Sequence, residues 1–296
     1  MHGPLISPWR WIALALLLPA AVGAQVAFED VYPPRDTRPE TLWVRSPGLM
    51  RRLSVGFAAV MADVYWIRAV QYYGDTKLSM TTNRNYNLLY PLLDTTTTLD
   101  PRFNIAYRFG AILLSEGYPN GPGEIDGAIA LLQKGIRAMP EKWQYYHDAG
   151  FVEYWWRDHK AASEWFLKAS KVPGAPPFLP TIAARALADG GDRATARALW
   201  QGLATAEHEW LRQSARRALM RLDAEDEIEA LQRIVDAFHG DTGRYPAGWI
   251  ELAQLGRVRR IPLDPSGVPY ALDPVSGAVS VTPDSALYPL RPVRKP

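Results

Sequence analysis

The 296-residue chain contains no cysteine. That excludes disulfides, thiolate metal sites, a cysteine nucleophile and lipidation through an N-terminal cysteine. Histidine is scarce. His2, His147, His159, His208 and His239 are the full set, and none stands at a His-x-x-x-His spacing or similar. No Gly-rich phosphate loop and no Gly-x-Ser-x-Gly elbow occurs. Carboxylate pairs such as Glu141 and Asp148 are ordinary for an exposed helix. Surplus charge is missing too: the net charge is +2, with no basic excess of the kind nucleic acid requires. The tail Arg291–Pro296 holds only three cations. These absences point away from an enzyme, a cofactor and a nucleic-acid partner.

Aromatic residues, by contrast, are plentiful, with 11 Trp and 14 Tyr. They suit helical cores and peptide-binding grooves alike. At the N-terminus, Arg10 precedes the uncharged run Trp11–Phe28, and Val22-Gly23-Ala24 sets small residues before Gln25. Residues 1–24 therefore read as a signal peptide or as an uncleaved membrane anchor. In either case the body is expected to be exported, periplasmic or membrane-anchored and facing the periplasm. Residues 25–48, with Pro33-Pro34, Pro39 and Pro47, read as an extended linker.

From Leu49 the apolar residues recur at spacings of three and four, which predicts a helix ending near Gly74. Residues 85–99 form a second apolar run whose Thr95–Thr98 stretch makes it depend on packing. The region 101–207 repeats. An offset of 34 residues aligns Ala128, Ala162 and Ala196; Leu132, Phe166 and Trp200; and Gly135, Ala169 and Leu203. Small, large, small at spacings of four and three is one helix face. Gly110, Gly150 and Ala184 hold the tight-packing position of the preceding helices. Six extra residues lie within the first turn, 117–123.

These columns resemble the tetratricopeptide (TPR) family. Asp63–Arg68, Tyr86–Asp100 and Lys171–Pro177 also resemble an exported bacterial branch of it. The resemblance implies a mostly α fold: a TPR-like right-handed α-solenoid of antiparallel helix pairs over residues 49–222. It also implies a binding face made by positions 2, 5, 9 and 12 of each first helix. Those positions are Asn104, Tyr107, Ala111 and Leu114; Gln144, His147, Phe151 and Tyr154; and Phe178, Thr181, Arg185 and Ala188. Such a lining is mostly aromatic and suits an apolar helix or an extended peptide.

Residues 207–238 continue as helix, with the acidic stretch Asp223–Glu229 expected to divide it in two. After Gly240 the texture changes. Gly243-Arg244-Tyr245-Pro246, a short helix over 248–255, an Asp-Pro-x-Gly turn at 264–267 and an Asp-Pro-x-x-Gly turn at 273–277 predict a small helix plus β-hairpin module over 223–296. This stretch resembles the C-terminal part of type II secretion major pseudopilins. There an acidic loop can bind calcium; Asp273 and Asp284 are available here but do not match that loop. The expected function is an exported scaffold or adaptor that binds a protein or peptide partner in a cell-envelope assembly. The resemblance implies a type IV pilus or type II secretion system as that assembly. The alternative is a structural subunit docked permanently into an envelope complex or filament.

Overall fold

The computed structural model describes residues 46–80, 83–156 and 158–290, together with Leu17, 19–24, Ala27 and Leu42. The chain divides into two units, Met1–Arg45 and Ser46–Pro296. Most of the expected signal or anchor and of the linker lies outside the described residues. Within the first unit, residues 19–24 are helical. Among the described residues no helix is long and apolar enough to cross a membrane.

The second unit is mostly helical. Helix α1, Pro47–Leu53, begins on Ser46, whose hydroxyl accepts from Leu49 N, with proline at its first position. The predicted single helix from Leu49 is in fact two: a turn at Ser54–Phe57 precedes α2, Ala58–Leu78. The break is local, since Val55 and Gly56 both have positive φ.

Helix α3, Leu89–Leu99, carries the four threonines. Each hydroxyl returns to the carbonyl one turn earlier: Thr95 to Pro91, Thr96 to Leu92, Thr97 to Leu93 and Thr98 to Asp94, at 2.7–2.9 Å. Thr95, Thr96 and Thr97 are buried, so this back-bonding lets a polar run lie in a core.

Helix–turn–helix units follow. They comprise α4 (Asn104–Ser115) with α5 (Ile125–Ala138), α6 (Trp143–Trp155) with α7 (His159–Ser170), and α8 (Leu179–Asp189) with α9 (Arg193–Leu203). Each helix packs on its neighbours in sequence. The expected columns are interior: Ala128, Ala162 and Ala196 are fully buried, as are Leu132 and, nearly so, Phe166 and Trp200. The caps repeat as well. Asp158 accepts from Ala161 N and, one repeat on, Asp192 accepts from Thr195 N. Pro180 fits because it stands in the first turn of α8, where no backbone donor is needed.

The tight-packing glycines are tight for different reasons. A Cβ on Gly110 meets the methyl ends of Leu93 and Leu131 at 2.9 Å, whereas one on Gly150 meets the Phe166 ring at 2.6 Å. Leucine methyls can yield; a buried ring cannot. Gly150→Ala is therefore expected to destabilise by about 1–3 kcal/mol despite the better helix propensity of alanine. Gly110→Ala is expected to cost less. Parallel denaturation of the two variants checks the order, and a more stable Gly150→Ala would refute this packing.

The acidic stretch does not divide the next helix. Helix α10 runs unbroken over Glu209–Thr242, 34 residues. Four of the stretch's five carboxylates are met from α9: Arg193 reaches Glu225, Asp226 and Glu229, and Arg197 reaches Asp223 and Asp226. What does change there is the partner. Ala215 and Leu222 pack with Ala184, Leu187, Ala196 and Trp200. From Ala224 on, Val235 and Phe238 pack with Trp249, Leu252, Tyr270, Val279, Val281 and Leu287. One helix serves both cores.

The C-terminal module is as expected in outline. Gly243 ends α10 in the left-handed conformation. Helix α11 is Trp249–Gln254. Strands β1 (Ala271–Leu272) and β2 (Val279–Ser280) pair antiparallel, Ala271 opposite Ser280 and Leu272 opposite Val279. The Gln232 side chain on α10 clasps the hairpin, donating to Gly277 O and accepting from Val279 N, both at 3.0 Å.

Candidate functional site

A groove of about 580 Å³ opens between α8 and α10. Thr181, Ile182, Arg185, Ala188 and Asp189 form the α8 wall. Trp210, Gln213, Ser214, Arg217, Arg221 and Glu225 form the α10 wall, with Trp200 and Leu290 at the margins. The α8 wall follows the 3.6-residue period: positions 181, 185 and 188 share a face, while Ala183, Ala184 and Leu187 turn into the core.

The groove carries a positive surplus. Asp189 is already engaged: it accepts the Tyr154 hydroxyl at 2.6 Å and lies 3.8 Å from Arg185. Glu225 lies 3.6 Å from Arg193. Burial raises the Glu225 pKa, with the nearby Arg193 acting against it. Arg221 donates to Pro289 O at 3.0 Å. Arg217 has no carboxylate partner among the described residues. Trp210 stands 45% exposed beside it.

An aromatic ridge leads to the groove along α6. His147 meets Trp143, Phe151 and Phe166 with ring centroids 5.7, 4.7 and 5.8 Å apart. Its Nδ1 lies 3.2 Å from Asp148 Oδ1, which also receives Arg108 of α4 at 3.1 Å. Burial disfavours the Asp148 carboxylate, but the hydrogen bonds from His147 and Arg108 outweigh it and hold its pKa below the ordinary range. Tyr154, at the far end of α6, joins the ridge to the groove through Asp189.

The positions that the repeat pattern assigned to the binding face therefore separate. Arg185 lines the groove and Tyr154 borders it. His147 and Phe151 lie on the ridge, Phe151 being 44% exposed. Gln144 is half-buried, with its Oε1 enclosed and unpartnered. Asn104 is exposed but lies outside the groove. Tyr107 is not a surface residue at all: it is fully buried, its ring 5.4 Å from that of Tyr145 and packed over Gly135. Ala111 and Leu114 are buried with it.

The expected lining was mostly aromatic with a few polar groups, Arg185 among them; the groove between α8 and α10 adds Arg217 and Arg221. Its second wall comes from α10, which no repeat motif covers. A sequence signal for that wall exists. Residues 209–222 hold Arg212, Arg216, Arg217 and Arg221 against a single acid, Glu209, immediately before the acidic stretch. Trp210, at the start of this arginine-rich stretch, is half-exposed and lines the groove.

A second cavity, about 330 Å³, lies among Asn83, Arg84, Asn85, Tyr86, Asn87, Tyr118, Pro122 and Glu124. Its polar groups serve the inserted first turn: Arg84 Nη1 and the Tyr86 hydroxyl both donate to Pro119 O, at 2.9 and 3.1 Å. Among the described residues no group of three or more His, Asp or Glu could hold a metal. Asp273 is engaged by its own turn, accepting from Val275 N at 2.9 Å and from the Ser276 hydroxyl. No family model, no curated protein and no solved structure matches the chain.

Proposed function

We propose that this protein is an exported, non-enzymatic scaffold whose helices form a TPR-like right-handed solenoid, and that the groove between α8 and α10 captures an extended segment of a protein partner in the cell envelope. The observation that carries the reading is the groove's make-up. Arg185, Arg217 and Arg221 face a space of about 580 Å³ together with the exposed Trp210. Cations with an aromatic platform suit a peptide that carries both carboxylates and apolar side chains. The 34-residue columns and matching aspartate caps support the repeat assignment. The pseudopilin-like end, clasped to α10 through Gln232, supports a place beside a pilus or type II secretion machine by analogy alone.

Selection from a random-peptide display library tests the groove. Recovered peptides are expected to be enriched in Asp or Glu beside aromatic or branched residues. Binding of a recovered peptide is expected to weaken with salt and to fall about tenfold or more in Arg217→Glu. Arg217 and Trp210 are solvent-exposed, so the variant is expected to melt like the parent. Peptides without acidic enrichment, or unchanged binding by Arg217→Glu, would sink the assignment.

A further inference from the structure

The end of the helical unit nearest the chain's N-terminus exposes a concentration of apolar side chains. Leu49, Leu53, Val55, Phe57 and Val60 are each between 48% and 79% exposed. All five fall in twelve residues, whereas Met50, within α1, is buried. Scattered exposed leucines need no explanation; five in one turn and its flanks do.

The turn is also built against local preference. Val55 has φ 34° and is followed by Gly56 at φ 87°. A β-branched residue at positive φ is a strained exception, and glycine or asparagine would sit there freely. The surroundings hold the turn in place: the Ser54 hydroxyl donates to Met50 O at 2.7 Å and Phe57 N donates to Ser54 O at 2.8 Å. The strained valine makes no use of its side chain inside the protein, being 79% exposed. Strain retained at an outward-facing apolar residue points to an external use of that side chain.

The charge beside it selects the occupant. Arg51 and Arg52 are both exposed, and neither has a carboxylate partner among the described residues. Residues 46–62 contain no acid at all. Apolar side chains beside unopposed arginines match the layer of an anionic bilayer in which acyl chains meet phosphates. Chain length agrees. Only residues 29–46 separate the apolar run Trp11–Phe28 from α1, a reach of at most roughly 60 Å.

We infer that the α1–α2 tip is a membrane-contact surface, in which Leu49, Leu53, Val55 and Phe57 enter the interfacial layer and Arg51 and Arg52 pair with lipid phosphates. The inference rests on the reading that the chain works at an envelope membrane. It makes the tip a second contact, separate from residues 1–24, that sets the orientation of the helical unit on the bilayer.

The absence of cysteine makes a direct test simple. The full chain carrying Leu53→Cys is labelled with an environment-sensitive fluorophore and mixed with vesicles of phosphatidylcholine and phosphatidylglycerol. A blue shift, with quenching by lipids that bear a spin label in the acyl chain, is expected. The same label at Val275→Cys, 84% exposed on the distant hairpin turn, is expected to stay water-like. Arg51→Gln with Arg52→Gln is expected to reduce the shift by roughly half. Val55→Asn, which suits the same turn, is expected to reduce it too while preserving the fold.

Vesicle binding with a water-like label at 53 would overturn the tip and leave N-terminal attachment standing. No vesicle binding at all would overturn both. A shift that grows with protein concentration in the absence of lipid would overturn the inference in favour of a second copy covering the tip.

Discussion

Tyr107→Ala is expected to lower stability by about 3–5 kcal/mol, the range for emptying a large aromatic site in a core. Tyr107 is fully buried among α4, α5 and α6, against Tyr145 and over Gly135. Its hydroxyl donates to Thr97 O and Pro101 O, both at 3.3 Å, and burial pushes its pKa up to about 12. Those bonds are long, so most of the loss comes from the ring. Tyr107→Phe is accordingly expected to cost under about 1 kcal/mol. Phe151→Ala, on the exposed ridge one repeat later, is expected to cost about 1 kcal/mol. Thermal melts followed by circular dichroism separate the three, with Tyr107→Ala shifted by roughly 10 °C. If Tyr107→Ala and Phe151→Ala melted alike, the different placement of these two binding-face candidates would be wrong.

Asp264→Ala is expected to cost about 2–4 kcal/mol and to loosen the C-terminal module selectively. The carboxylate is 5% exposed. Its Oδ1 accepts from Ser266 N at 2.8 Å, the Ser266 hydroxyl at 2.7 Å and Val268 N at 3.0 Å, and its Oδ2 accepts the Ser285 hydroxyl. One side chain thus ties the turn at 264–268 to the segment at 285. Burial raises its pKa, but the bonds from Ser285, Ser266 and the two backbone amides outweigh this, and the carboxyl lies below its ordinary range. A depressed carboxyl contributes stability above its unfolded value, and that contribution is lost as pH falls through the folded one. The module is therefore expected to weaken below about pH 4 in the parent, and less steeply in Asp264→Ala. Asp264→Asn keeps the shape and part of the hydrogen bonding, so it is expected to recover part of the loss. Hydrogen exchange at neutral and acid pH reads the effect residue by residue. Protection of 262–287 in Asp264→Ala equal to the parent's would remove this carboxylate from the account.

The two cases differ in how readable they were. Asp264 announces itself: Asp-Pro-Ser-Gly is turn chemistry, and an aspartate at the first turn position bonds forward to the backbone. Tyr107 and Phe151 hold positions 5 and 9 of their first helices, both on the implied binding face, and no pattern marks one as core and the other as surface. Tyr107 is covered because Tyr145 of the next first helix reaches it, while Phe151 stays 44% exposed. The groove has the same origin. Its α8 wall could be named from the repeat, but its α10 wall depends on a helix the repeat does not describe.

What the residue order determines here is local and periodic. Small-large-small columns, aspartate caps 34 residues apart and Asp-Pro turns are short-range preferences written in neighbouring residues, and they yield the helices, their interior faces and the hairpin. Tertiary structure decided the rest. Five carboxylates within seven residues disfavour a helix on local grounds, yet α10 runs through them as Arg193 and Arg197 arrive from α9. Whether an aromatic at a given repeat position is core or surface depends on which side chain faces it across a helix boundary. Local propensity acts over about one helical turn, whereas burial and charge pairing are set by residues tens of positions away. For that reason the helices of the repeat region and their interior faces were legible in the sequence, while the arginine-lined groove became visible only once α8 and α10 were brought together.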